Sequence, residues 1–171
     1  MKKVILCCTS RNHLRFLIPL IEELTNDSYV LLYCNVAEIK QDSYSYKLIE
    51  LEQNNSKFKV IDMWDRENFF RFYENTHSML VTTGSDSQWH QVEYDLSKNA
   101  KCKTFAIQHG LSQDGITRMP KRHFGADHVL TWVKPEYIRE ECAEDKDKFI
   151  PVGVTNHYYE KVDTFEGSKE F

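Results

Sequence analysis

Glycine is scarce in this chain, with six residues in 171, and none of them precedes Gly84. A dinucleotide-binding fingerprint needs glycines directly after the first strand so that the backbone can approach a pyrophosphate, and that motif is therefore excluded. The five cysteines, Cys7, Cys8, Cys34, Cys102 and Cys142, are odd in number and form no CxxC pair and no Cys/His ligand spacing. Neither a disulfide framework nor a zinc site fits the pattern, so the thiols read as reduced core residues of a cytoplasmic protein, with no metal and no cofactor expected. Long apolar runs are also missing. The longest, Phe16 to Ile21, falls far short of the ~20 residues that span a bilayer. Near the start, the apolar run Val4 to Cys8 gives way at once to Thr9-Ser10-Arg11-Asn12-His13, so no secretory signal is predicted. An excess of basic charge is absent too: 22 basic residues stand against 26 acidic ones, for a net charge of -4. A broad basic face for nucleic acid is excluded, and any anion site must be local.

What remains is a globular composition, 41% hydrophobic and 13% aromatic, without low-complexity segments or internal repeats. At 171 residues the chain suits one well-buried α/β domain. The domain is expected to occupy residues 1–160, with 161–171 as a tail or the start of a linker.

Apolar runs and helical periodicity alternate along the chain. Val4 to Cys8 is apolar on both faces, as a central parallel strand is. Leu14, Leu17, Ile18, Ile21 and Leu24 recur at helical spacing, with Ser10 or Asn12 as the predicted N-cap and Pro19 bending the helix. Further strands are predicted at Tyr29 to Cys34, Phe58 to Ile61, Met79 to Thr82, Lys103 to Ile107, Ala126 to Val133 and Phe149 to Val154. Helices are predicted at Ser43 to Gln53, Arg66 to Glu74, Gln88 to Lys98 and Pro135 to Glu144. The stripe Phe69, Phe72 and Tyr73 on the second of these reads as core. Consecutive parallel strands need crossovers, and crossovers are right-handed, so the alternation predicts a Rossmann-like three-layer sandwich with a mostly parallel six- to seven-stranded sheet.

In such a sheet ligands collect at the carboxyl ends of strands. Three loops there carry polar residues. After the first strand come Ser10 and Arg11. Cys8 and Arg11 together suggest a thiol phosphatase loop, but they are only three positions apart with no glycine between them, which is too tight for a phosphate cradle. After the fourth strand come Gly84, Ser85 and Asp86, at a helix start whose free N–H groups favour an anion by about 0.3–1 kcal/mol. The same residues also read as a plain helix cap. After the fifth strand come Gln108, His109 and Gly110, an imidazole set beyond an apolar run and followed by a flexible loop containing Gly115. Arg118, Lys121, Arg122 and His123 then form a local basic cluster able to hold an anion. If the first strand is central, Ser10, Arg11, Asp86 and His109 converge on one crevice.

Several stretches together carry a resemblance: Lys2-Lys3-Val4-Ile5-Leu6 with Pro19-Leu20-Ile21-Glu22-Glu23-Leu24, then Thr83-Gly84-Ser85-Asp86, Gln108-His109-Gly110, and Gly125-Ala126-Asp127-His128-Val129-Leu130. They resemble the N-terminal half of GT-B fold enzymes. Two branches share the order and spacing: the surface-polysaccharide transferases, which include capsule and CDP-glycerol glycerophosphotransferase-like proteins, and the UDP-GlcNAc 2-epimerases. The epimerases usually have Gly-Asp-Thr after the fourth strand and Glu-Ala-Gly after the fifth. Here the acid comes one residue later, as Asp86, and Gln108 holds the glutamate position, so the transferase pattern is the closer one.

The resemblance implies an acceptor-side domain. His109 would be the general base that deprotonates an acceptor hydroxyl, with Asp86 as its orienting partner. Ser10, Arg11, Gly84, Ser85, Gln108 and Gly110 would line the substrate site, and Arg118 or Arg122 would lie near donor phosphate. The implied partners are a glycan or polyol acceptor, a nucleotide-activated sugar or CDP-glycerol donor held only with a second domain or chain, and a membrane-proximal partner. Ile150-Pro151-Val152-Gly153-Val154-Thr155 resembles the stretch leading into that second, donor-binding domain. The rival expectation is a non-catalytic ligand- or partner-binding module of the same fold.

Overall fold

The computed structural model describes residues 2–8, 10, 13–41, 44–65, 79–82, 91–108, 124–132, 134, 145 and 147–152. The statements below concern these residues. The chain is α/β with parallel strands. In order it forms β1 (Lys2–Cys8), α1 (Leu14–Leu24), β2 (Ser28–Cys34), α2 (Val36–Ile39), α3 (Ser45–Asn54), β3 (Phe58–Asp62), β4 (Met79–Thr82), α4 (Gln91–Lys98), β5 (Lys103–Ile107), β6 (His128–Thr131) and β7 (Phe149–Pro151). The strands join one seven-stranded sheet in the order β3-β2-β1-β4-β5-β6-β7, and every neighbouring pair is parallel.

Strand β1 is central because it can be buried on both faces. Val4, Leu6 and Cys8 point to one side, where they meet Leu14, Leu17, Ile18 and Ile21 of α1 and Leu48 of α3. Ile5 and Cys7 point to the other, with Leu31, Tyr33 and Ile61, and Leu96 of α4 packs against that cluster. Each fully buried aliphatic side chain here is worth roughly 1.5–3 kcal/mol relative to exposure. A smaller cluster of Ala106, Phe124, Ala126, Val129 and Phe149 fills the β5–β7 end of the sheet.

Local chemistry sets the ends of the elements. The predicted N-cap of α1 at Ser10 or Asn12 is corrected: His13 occupies the cap with no side-chain cap bond. The Ser10 carbonyl instead accepts the His13 N–H at 3.1 Å. Pro19 lies inside α1 without ending it. Asn35, directly after β2, caps the unforeseen turn of helix α2 by accepting the Glu38 N–H at 3.2 Å. Edge strand β3 has one outward N–H covered, since Glu52 of α3 accepts from Val60 at 2.9 Å, which blunts the edge against pairing with another chain.

β6 and β7 are shorter than the apolar runs suggested. Phe124 sits outside β6, held through its backbone: its N–H donates to Asp145 Oδ2 at 3.0 Å and its carbonyl accepts from Lys148 Nζ at 2.7 Å, while Lys148 and Asp145 pair at 2.9 Å. The helices predicted over 66–74 and 135–144 lie outside the described residues, as does the tail 161–171. Among the described residues no helix is long and apolar enough to cross a membrane.

Candidate functional site

Because all strands are parallel, their carboxyl ends share one edge. Register partners run Asp62, Cys34, Cys8 across β3, β2 and β1, and Cys7, Thr82, Ala106 across β1, β4 and β5. The order of strands reverses at β1: β2 and β3 lie to one side, and the chain then returns to place β4 on the other. Such a reversal opens a crevice beyond the carboxyl ends, where adjoining loops lead away in opposite directions. The stretches containing Ser10, Gly84 and Gln108 each begin at this edge, after β1, β4 and β5.

Of the predicted site residues, Ser10 and Gln108 are described. Arg11, Gly84, Ser85, Asp86, His109, Gly110, Arg118 and Arg122 lie outside the described residues. Ser10 is half-buried, and its carbonyl also accepts a bond from the Cys8 thiol at 3.1 Å. This pins the turn after β1 from inside. Gln108 is 1% exposed. Its backbone N–H donates to Leu130 at 2.9 Å, and its side-chain Oε1 accepts the Trp132 N–H at 2.7 Å. The side chain thus continues the β5–β6 ladder past the last strand residue. Among the residues that carry the resemblance, Gln108 therefore ties the end of β5 to the end of β6.

The stretch Gly125-Ala126-Asp127 does the same. A Cβ at Gly125 would run into the Tyr94 carbonyl oxygen, with the Tyr94 Cα and carbonyl carbon at 3.1 Å, so only glycine lets the chain entering β6 pass so close to α4. Asp127 Oδ2 accepts the Thr104 N–H at 2.9 Å, and Thr104 Oγ1 accepts the Asp127 N–H at 2.8 Å. This reciprocal pair ties the start of β5 to the turn before β6.

Three thiols at the carboxyl ends of β1 and β2 are buried in the core, Cys8 and Cys34 on one face of the sheet and Cys7 on the other. Burial pushes the Cys7 thiol well up, with Glu93 adding to the effect. Cys8 is raised by burial and then by Cys34. Burial, followed by Asp62 and Glu52, pushes Cys34 up to about 12. A nucleophilic or phosphate-binding cysteine needs a lowered pKa, so the raised Cys8 thiol agrees with setting the thiol-phosphatase loop aside: its S–H is a hydrogen-bond donor to the Ser10 carbonyl.

Sequence reading missed Glu93. It is 1% exposed on α4, whereas Val92 beside it is 48% exposed. Glu93 shares a face of α4 with the buried Ser97 four residues on, a face chosen by packing that the polarity of these residues did not signal. A carboxylate is costly to bury, and this one is close enough to raise Cys7 and Cys8, both at the carboxyl end of β1. Among the described residues no group of three or more His, Cys, Asp or Glu side chains could hold a metal ion.

Compared with known proteins, the chain matches no family model, no curated protein and no solved structure.

Proposed function

We propose that this chain is the acceptor-side domain of a cytoplasmic glycosyl- or glycerophosphoryl-transferase of surface-polysaccharide biosynthesis, built as a Rossmann-like three-layer sandwich. His109 serves as general base toward an acceptor hydroxyl, Asp86 orients it, and Arg118 or Arg122 meets donor phosphate. A nucleotide-activated sugar or CDP-glycerol donor is held in line only when a second Rossmann domain, in the same chain or another, closes the other wall of the cleft. A positioned base contributes perhaps 10²–10⁴-fold, and only when the donor is aligned with it, so the domain alone is inactive.

The observation that carries this reading is the reversal of strand order at β1, with the polar stretches after β1, β4 and β5 all starting from one edge. The Gln108 clamp adds support, because a rigid exit from β5 is what a base on the next residue requires. The same clamp would also serve a non-catalytic binding module of this fold. The two readings separate on His109 in the complete or reconstituted enzyme. His109→Ala should lower turnover by about 10²-fold or more with little change in melting temperature. His109→Asn, which restores a donor and an acceptor but no base, should remain equally slow. Near-native transfer by the Asn variant, or a large melting loss in both, would refute the catalytic assignment.

A further inference from the structure

Among the described residues, the most exposed large hydrophobic side chain stands at the carboxyl edge of the sheet. Trp64 is 73% exposed, two residues past the end of β3. Its backbone is fixed. The Trp64 N–H donates to Asp62 Oδ1 at 3.0 Å and the Asp65 N–H to the Asp62 carbonyl at 2.9 Å. Just before it, the Met63 N–H donates to the Cys34 carbonyl at 2.7 Å, and the Met63 carbonyl accepts the Tyr33 hydroxyl at 2.9 Å. An indole held out in water by a turn that is itself bonded to the core forgoes the burial that a tryptophan would gain by folding inward. That is the arrangement of a preorganised binding group.

The surroundings specify the ligand. Asp62 and Asp65 flank Trp64 in the chain, and carboxylates of this kind accept hydrogen bonds from hydroxyl groups; one Asp62 oxygen also takes the Trp64 N–H at 3.0 Å. Tyr46 is 59% exposed in the first turn of α3, and α3 runs back from the carboxyl edge to Asn55, where a tight turn enters β3. A second exposed aromatic side chain therefore stands at the start of the helix that leads into β3. The face of an aromatic ring is electron-rich and prefers the slightly positive C–H groups of a stacked partner, and a pyranose presents such a face with hydroxyls at its rim. β3 lies four strand spacings from β5 in the sheet order, which at ~4.8 Å per spacing is roughly 19 Å. A monosaccharide cannot reach from one to the other; a short oligosaccharide can.

We infer that Trp64 is a carbohydrate-stacking platform at the distal end of the acceptor path, holding a sugar ring several units away from the hydroxyl that reacts. The inference rests on the acceptor-side reading above and assigns it a chain length: the acceptor is an oligosaccharide that lies along the carboxyl edge from β5 to β3. The probe is an immobilised panel of surface-polysaccharide fragments running from mono- to hexasaccharides, tested against the full chain and its Trp64→Ala and Trp64→Phe variants, with melting temperature recorded for each. Wild type should retain the longer fragments, Trp64→Ala should lose at least about tenfold in affinity for them, and Trp64→Phe should keep most of it. Affinity for the shortest fragments and the melting temperature should be alike in all three. Equal retention of long fragments by wild type and Trp64→Ala would overturn the platform while leaving the acceptor-side reading standing, as would an equal loss for short and long fragments. Failure of wild type to retain any fragment would overturn both.

Discussion

Raising the pH should unfold this protein through its core thiols. In the unfolded chain each cysteine ionises near the ordinary value of 9.0, whereas in the fold Cys34 is pushed up to about 12 and Cys7 and Cys8 are also raised, in each case first by burial. A raised folded pKa stabilises fully below the unfolded value, and that stability is lost as pH rises toward the folded one. Above about pH 9 the unfolded state has released the proton that the folded state still holds, so the unfolding free energy falls with pH. Between about pH 8 and about pH 10 each thiol that stays protonated in the fold removes about 1.4 kcal/mol, and three remove about 4 kcal/mol. That is a large part of the 5–15 kcal/mol typical of a domain.

The assay is urea unfolding followed by circular dichroism under reducing conditions at several pH values. It compares wild type with a variant combining Cys7→Ala, Cys8→Ala and Cys34→Ala. The variant starts from lower stability because it opens small cavities, so the comparison is of slopes against pH. The wild-type slope should exceed that of the variant by about 3 kcal/mol per pH unit between pH 9 and 10. Equal slopes would refute the argument that burial keeps these thiols neutral. So would rapid modification of all three by a thiol reagent in the folded protein at neutral pH.

Two further substitutions test the scaffold under the crevice. Gly125→Ala should cost about 1–3 kcal/mol, because its Cβ meets the Tyr94 backbone, which cannot rotate away as a side chain could; a melting temperature unchanged from wild type would show that α4 and the β6 entry separate freely. Asp127→Ala removes the acceptor of the Thr104 N–H and should cost about 1–3 kcal/mol, with Asp127→Asn recovering most of the loss through its amide oxygen. Chemical denaturation measures both, and a loss as large for Asn as for Ala would point to charge in place of the hydrogen bond.

The strands and their central member were legible in the sequence because burial on both faces leaves a mark that needs no partner to be read. Val4 to Cys8 is apolar at every position, and so is the middle of β2. The inner face of α1 was equally legible, since Leu14, Leu17, Ile18 and Ile21 follow the helical repeat and all four are buried. The expectation that polar stretches after β1, β4 and β5 leave from one edge needed only parallel pairing, which the alternation of strand and helix imposes. Helix ends were less legible. The cap of α1 moved to His13 because the Ser10 carbonyl, a group every residue has, took the bond expected of a side chain.

What only the tertiary structure decided are the contacts made between residues far apart in the chain. The strand order β3-β2-β1-β4-β5-β6-β7 rests on ladders between segments whose separation leaves no periodic trace. Gln108, Gly125 and Asp127 had the look of family markers, and each proved to serve a neighbouring strand or helix: Trp132 for the first, Tyr94 for the second, Thr104 for the third. Glu93 and Val92 exchanged the places their polarity suggests, because the face that α4 turns to the sheet is set by packing against Ile5 and Cys7 on a strand some ninety residues earlier. Periodicity reports which side of an element is buried; it carries no information about what the buried side will meet, and the chemistry of the crevice depends on that meeting.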